Sequence, residues 1–423
     1  MNFLSKSFLK SFSILFTGTV LAQIISYSVV PIITRQFAPD ESAYLGLFLR
    51  ITALGAAIAT ARLELAFPIE KEKHHAFGIF RFSIRFSALI SIFSFVLILL
   101  YSSLVAISFQ DFLFALSIPV GIFLTAFINQ GSSWSLRNED YIKISKSTLL
   151  LSTFTNGFKI LFGLLGGNFL SLIGATLLGY CISMITFLKE YVVNKKTALL
   201  NYKSKRTKVL IKKNASLYTY NLPHVIIDLT RDILIASVIW SYYGKLEYGS
   251  YDHAFRMLKL PVVFIGAAIG QVFFKKCAVL IQENKSISSL VKSICYSLFF
   301  ISIIPFGIIA IFGTDIFSFV FSDDWKLSGE MGAIMSPWLF INFIISPISY
   351  LPVLLNKQKS YFWVNLIGTL VMIVIVMIPY LGVFECDIFC LLKMISYSQS
   401  LFLIFLFFWL IKIVKNYKIS EIK

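Results

Sequence analysis

Twelve stretches of mostly apolar residues follow one another along the chain, parted by short polar connections. Lipid offers no partner for backbone N–H and C=O groups, so an apolar stretch of about 20 residues can cross it only as a helix. The sequence predicts spans at 11–33, 44–67, 84–107, 112–132, 148–166, 169–188, 216–242, 250–274, 291–313, 332–354, 361–382 and 388–411. The predicted class is therefore an all-α integral membrane protein of about 12 transmembrane helices.

The positive charge has a period of its own. Of 38 Lys and Arg residues, 28 lie at the two ends or on even-numbered connections, and only Arg35, Lys245 and Lys326 lie on odd-numbered ones. Cytoplasmic connections collect Lys and Arg, so both termini are expected to face the cytoplasm. Topology and anionic lipid head groups account for the net charge of +17. No nucleic-acid partner is needed, because the basic residues are scattered over loops and ends.

Lys6 and Lys10 followed by an apolar run resemble a secretory signal. The run continues to Ile33 and eleven spans follow, so it reads as an uncleaved first span. The five cysteines show no metal-site or disulfide spacing. Cys386 and Cys390 are expected on one helical face, as buried or lipid-facing thiols.

The longest basic connection divides the chain into residues 1–190, a cytoplasmic linker 191–215, and residues 216–423. The linker is too short and too charged to hold a core. Each half opens alike. Phe37 to Phe48 and Tyr243 to Tyr251 both read aromatic, acid, Tyr, Gly, one residue, aromatic. Two six-helix halves of the same orientation form a parallel repeat, as in transporters with sites at the repeat interface. No Walker-type phosphate loop occurs, so the chain does not itself hydrolyse ATP. The largest outer segment, 314–331, carries Asp315, Asp323, Asp324 and Glu330 and reads as a solvated loop.

An ionisable residue inside a span costs several kcal/mol unless paired or wetted. Seven basic residues fall inside spans: Arg50, Arg62, Lys159, Arg231, Arg256, Lys259 and Lys393. The intramembrane acids are Glu64, Asp228 and Asp232, with Asp252 at an outer edge. The excess predicts a cationic, water-filled interior that favours anionic cargo. The seventh span is the most informative. Asn221, His224, Asp228, Arg231 and Asp232 share one face of a 3.6-residue helix. That stripe is either an ion-paired packing seam or a cavity lining, and the charge excess favours the lining. Arg256 and Lys259 share a face of the eighth span, where they would pair with Asp228 or Asp232 or bind an anion directly.

On a continuous second helix, Arg62 would point about 200° away from Glu64, so the two are not expected to pair. Arg50 and Glu64 would differ by only about 40° in direction but by roughly 21 Å in height. Arg62 and Lys393 can snorkel near their span ends. Lys159 lies too deep in the fifth span to do so.

Several stretches resemble a known family. Gly18 to Ile25, followed by Pro31 to Pro39, is similar to the N-terminal signature of polysaccharide flippases. Ala59 to Pro68 matches its second helix, and Arg256 to Pro261 with Ile265 to Phe274 looks like the corresponding part of the second half. The chain departs from the pattern at Ser42-Ala43-Tyr44-Leu45-Gly46, where the acid-to-glycine spacing is long. The superfamily also holds multidrug antiporters and the peptidoglycan-precursor flippase. The resemblance implies two lobes forming a V-shaped central cavity in the bacterial inner membrane. It implies export of an undecaprenyl-diphosphate-linked oligosaccharide, an O-antigen repeat unit, to the periplasmic leaflet. A polysaccharide polymerase and chain-length machinery are the partners such a pathway supplies.

These readings together predict a flippase rather than an enzyme, with Arg50, Arg62, Lys159, Arg231, Arg256 and Lys259 facing the cargo. No metal or organic cofactor is expected. H+ or Na+ is the expected coupling ion, with Glu64, His224, Asp228 and Asp232 as candidate carriers of the coupling, because burial raises a carboxylate pKa while a nearby Arg lowers it. The alternatives are a multidrug antiporter, whose cationic cargo suits an acidic cavity, and a membrane glycosyltransferase or repeat-unit polymerase, which would be expected to carry a long periplasmic loop.

Overall fold

The computed structural model describes residues 6–196, 204–283, 285–355, 357–382 and 385–417. The charges at Lys203, Lys418 and Lys423, the middle of the expected linker, and the side chains of Lys6 and Lys10 lie outside the described residues.

Every predicted span overlaps a helix. They are α1 Lys6–Thr34, α2 Pro39–Thr60, α3 Lys73–Leu104, α4 Phe109–Arg137, α5 Tyr141–Leu164 and α6 Phe169–Lys196. A short α7, Ser204–Lys213, precedes α8 Leu222–Val238, α9 Lys245–Gln282, α10 Ser288–Phe321 and α11 Lys326–Ile345. A four-residue α12, Leu351–Leu354, α13 Gln358–Leu381 and α14 Ile388–Asn416 complete the chain. Among the described residues, nine helices are long and apolar enough to cross a membrane by length and composition. The three further predicted spans, α5, α8 and α9, are the helices that carry Lys159, the Asp228–Asp232 group, and Arg256 with Lys259.

The chain forms two units, residues 1–233 and 234–423. In the first, α1 and α5 meet along a seam of small polar residues. Ser26 and Ser152 hydroxyls lie 2.8 Å apart, and the Asn156 amide donates to Ser26 at 3.2 Å. A methyl on Gly18 would stand 2.5 Å from the Ser145 Cβ, so glycine is what lets these backbones approach. In the second unit, α10 and α11 meet through Gly313 and Gly329. A methyl on Gly329 would stand 2.4 Å from the Gly313 carbonyl oxygen.

Four sequence expectations change. Helix two stops at Thr60, short of Phe67, as described below. The segment 314–331 is mostly helix and not an open loop: α10 runs to Phe321, and only Ser322–Trp325 separates it from α11. The apolar run through Ile316, Phe317 and Val320 continues the helical face, and Trp325 is fully buried. The linker contains α7, whose Leu210 is buried with Phe77, Phe80 and Trp134 of the first unit. Cys386 precedes α14, whose N-cap is Asp387, so it does not share a helical face with Cys390.

Candidate functional site

The end of α2 is built by residues far along the chain. Ala61 and Arg62 both take left-handed backbone conformations, at φ 48° and 57°, and residues Leu63–Ala66 resume as a 3-10 turn. A helix ending among apolar residues must find partners for its last carbonyls. Here Ser87 on α3 donates to the Ala59 carbonyl at 3.0 Å, and Ser83 donates to that of Thr60 at 3.5 Å. The Gln130 amide on α4 donates to both hydroxyls, at 3.0 and 2.7 Å. The Arg62 N–H donates to the Thr60 hydroxyl at 3.3 Å.

This break corrects the separation expected of Arg62 and Glu64. The guanidinium lies 3.2 Å from the Glu64 carboxylate, because the left-handed step turns the chain back toward its own helix end. Arg62 keeps 27% of its side chain exposed, while Glu64 keeps 5%. The Arg62 Nε also donates to the Asn221 side chain at 3.0 Å.

Asn221 closes a π-helical turn, Leu217–Asn221, that leads into α8. The row predicted on this helix forms a continuous string. His224 lies 3.5 Å from Asp228, and Arg231 lies 3.6 Å from Asp228 and 3.0 Å from Asp232. All four side chains are partly exposed, between 30% and 49%. Arg231 therefore bridges the two carboxylates. A proton or cation reaching either acid would compete directly with it.

In the second unit, Arg256 takes a carboxylate from its own helix. Its Nε lies 2.8 Å from Asp252, four residues earlier on α9. Asp252 keeps 1% of its side chain exposed against 35% for Arg256. The carboxylate that the sequence placed at an outer edge is thus buried within the protein. Its neighbour His253, which the sequence reading did not single out, is buried with its ring 4.3 Å from that of Trp325 and 4.6 Å from that of Phe321. The Lys259 ammonium lies 4.9 Å from the centre of the Phe255 ring.

Two predicted residues sit apart from these groups along the chain. The Arg50 guanidinium donates back to the Gly46 carbonyl of α2 at 3.5 Å. Lys159 is half-buried on α5, three residues beyond Asn156 of the α1–α5 seam. The structure thus joins Arg62, Glu64 and Asn221, strings together His224, Asp228, Arg231 and Asp232, and couples Arg256 to Asp252. The expected partners of Arg256 were Asp228 or Asp232, but it pairs with Asp252, for which the i,i+4 spacing was the available signal. The Arg62–Glu64 link had no local signal.

The sequence signature described as polysaccharide biosynthesis protein matches residues 32–329, which include all of these groups. The chain belongs to the polysaccharide biosynthesis protein family. No curated protein matches it in sequence. Among solved structures it is similar to the lipid II flippase MurJ in an inward closed conformation, with a TM-score of 0.72 and 16% identity over 96% of this chain and 90% of that one. It is also similar to an inward-facing multidrug resistance MATE family transporter of the MOP superfamily, with a TM-score of 0.67 and 15% identity over 92% and 95% of the two chains. A MOP superfamily transporter from Pyrococcus furiosus, described as having a binding pocket of reversed polarity, matches with a TM-score of 0.54 and 15% identity over 96% and 95%. This family member therefore shares the fold of these transporters.

Proposed function

We propose that the chain moves undecaprenyl-diphosphate-linked oligosaccharide, of the O-antigen repeat-unit class, from the cytoplasmic to the periplasmic leaflet of the bacterial inner membrane by alternating access. One observation carries the reading. In each unit a partly exposed arginine is held by a buried carboxylate: Arg62 by Glu64, and Arg256 by Asp252. A planar guanidinium fixed in this way presents its remaining N–H groups as a fork matched to phosphate oxygens. The carboxylate orients it and lowers the cost of keeping the charge inside a span. Basic groups of this kind repel an organic cation, which disfavours the multidrug reading. The membership in a polysaccharide family supports the lipid-linked cargo, and the pyrophosphate is the charge such cargoes share.

Both termini face the cytoplasm in this proposal, with the two lobes at residues 1–190 and 216–423 joined by the basic segment 191–215. H+ or Na+ drives the return of the empty carrier through Asp228, Asp232 and Glu64, with His224 extending the relay. A polymerase and chain-length machinery consume the product.

The test is transport by the purified chain in proteoliposomes, comparing a fluorescent polyprenyl-diphosphate oligosaccharide with a fluorescent organic cation. The oligosaccharide moves and the cation does not. Cation movement without oligosaccharide movement would replace this reading with the antiporter. Reporter fusions after Lys213 and at both ends should read cytoplasm, and those near Gln110, Tyr243 and Asp323 periplasm.

A further inference from the structure

The first turn of α3 gathers a second group of ionisable residues in the first unit, apart in sequence from the charges on α8 and α9. Glu72 is the N-cap of this helix, and His74 and His75 lie in its first turn. One Glu72 oxygen, Oε2, stands 2.7 Å from His74 Nε2 and 3.2 Å from His75 Nε2. One donor atom from each of the three residues lies within 4.8 Å of the others. Donors that each sit about 2.0–2.1 Å from one tetrahedral ion stand roughly 3.3 Å from one another. The Glu72 spacings already fall near that edge length.

We propose that Glu72, His74 and His75 bind one divalent first-row transition ion of the zinc type, with Glu70 orienting His75. The donor set argues for that class. Two imidazole nitrogens and one carboxylate suit zinc, whereas calcium and magnesium take oxygen ligands and cuprous ions take sulfur. Three protein ligands leave the fourth position to water. Glu72 and His74 are about half exposed, with side-chain exposures of 52% and 45%, so an ion reaches them from solvent.

The surroundings of His75 are those of a supported ligand. Its Nδ1 faces the Glu70 carboxylate at 3.7 Å, which leaves Nε2 on the Glu72 side for the ion. Metal-bound histidines commonly direct their second nitrogen to a carboxylate, which fixes the ring and raises its basicity. Glu70 is itself fixed. It keeps 6% of its side chain exposed, and the Lys213 ammonium at the end of α7 lies 3.3 Å from it. Arg137 donates to the backbone carbonyls of Phe67, Glu70 and Lys71, holding the loop that carries the site. A bound ion would therefore tie this loop to the start of α3, with the ion pair from Glu70 reaching the linker helix.

The same atoms describe a plain ion-pair cluster if the imidazoles are protonated, and the two readings separate by titration. Purify the full chain in detergent without a polyhistidine tag, strip it with chelator, and titrate it with zinc chloride by calorimetry. The site takes one equivalent and releases protons as it fills. Glu72→Gln, His74→Ala and His75→Ala each weaken binding at least tenfold. Glu70→Gln keeps the stoichiometry and weakens binding about 10- to 100-fold. Cobalt gives the intense visible absorption of a four-coordinate ion, and this is lost in His74→Ala. The chain has only four histidines, so few alternative sites compete. Wild-type affinity in both Glu72→Gln and His74→Ala, whose side chains lie at the surface and leave the core intact, overturns the proposal. So does the absence of zinc binding by the stripped wild type.

Discussion

The Arg62 guanidinium lies 3.2 Å from the Glu64 carboxylate although the two residues are separated by one position and a helix break. The pair exists because α2 stops where Ser83 and Ser87 can donate to its last carbonyls, with the Gln130 amide donating in turn to both hydroxyls. Gln130 on α4 thus supports, through two serines of α3, the helix end that leads into Arg62.

Removing that support should loosen the break. Ser87→Ala leaves the Ala59 carbonyl and the Gln130 amide short of a partner in an apolar setting, which costs about 1–3 kcal/mol. The melting temperature in detergent should fall, whereas Ser102→Ala, whose exposed hydroxyl bonds only its own helix at Leu99, should leave it unchanged.

The Arg62–Glu64 pair should show coupling. Arg62→Ala and Glu64→Gln each lose stability. The double variant should lose less than the sum, with an interaction energy of about 0.5–3 kcal/mol in a double-mutant cycle. Additive losses would mean that the contact contributes nothing of its own.

The candidate coupling acids on α8 separate from cargo binding. Asp228→Asn and Asp232→Asn should each lose cargo-driven proton or sodium flux in proteoliposomes while binding of the oligosaccharide lipid is retained, whereas Glu64→Gln should lose flux and also weaken binding, because it frees Arg62. Wild-type flux in all three would remove these carboxylates from the coupling step.

The fold was largely legible and the site half so. Hydrophobic runs located the long helices, nine of which among the described residues are long and apolar enough to cross a membrane, since lipid leaves the backbone no other way to cross. The α8 string was legible because its members repeat at helical spacing. The α2 break was not, because its determinants lie on α3 and α4 and a helical wheel assumes an unbroken helix. The Glu70–His75–Lys213 corner was hidden for a different reason. Its charges look like ordinary loop charges until the chain brings α7 back to them.

One expectation concerns acid stability outside the spans. Asp140 caps α5, accepting from the Lys143 backbone N–H at 3.1 Å and lying 2.8 Å from its ammonium. Burial pushes its carboxyl up, but the bonds from Lys143 outweigh that and hold it below the usual carboxylate range. A depressed folded value means the contribution is complete above the ordinary carboxylate pKa of about 4 and fades as pH falls through the lower, folded one. Asp140→Ala should cost about 1 kcal/mol at neutral pH and nothing extra once the native carboxyl is protonated. Asp140→Asn should keep the cap without the pH dependence.

In the proposed transport cycle, carboxylate-held arginines receive the cargo's pyrophosphate. The most direct test of this role is the initial rate of polyprenyl-diphosphate oligosaccharide movement in proteoliposomes for wild type, the triple variant Arg62→Ala, Arg256→Ala, Lys259→Ala, and Arg→Lys variants at positions 62 and 256. The triple variant should lose at least tenfold in rate at equal protein incorporation, with partial recovery by lysine, which keeps the charge but not the fork. A wild-type rate in the triple variant would contradict this role.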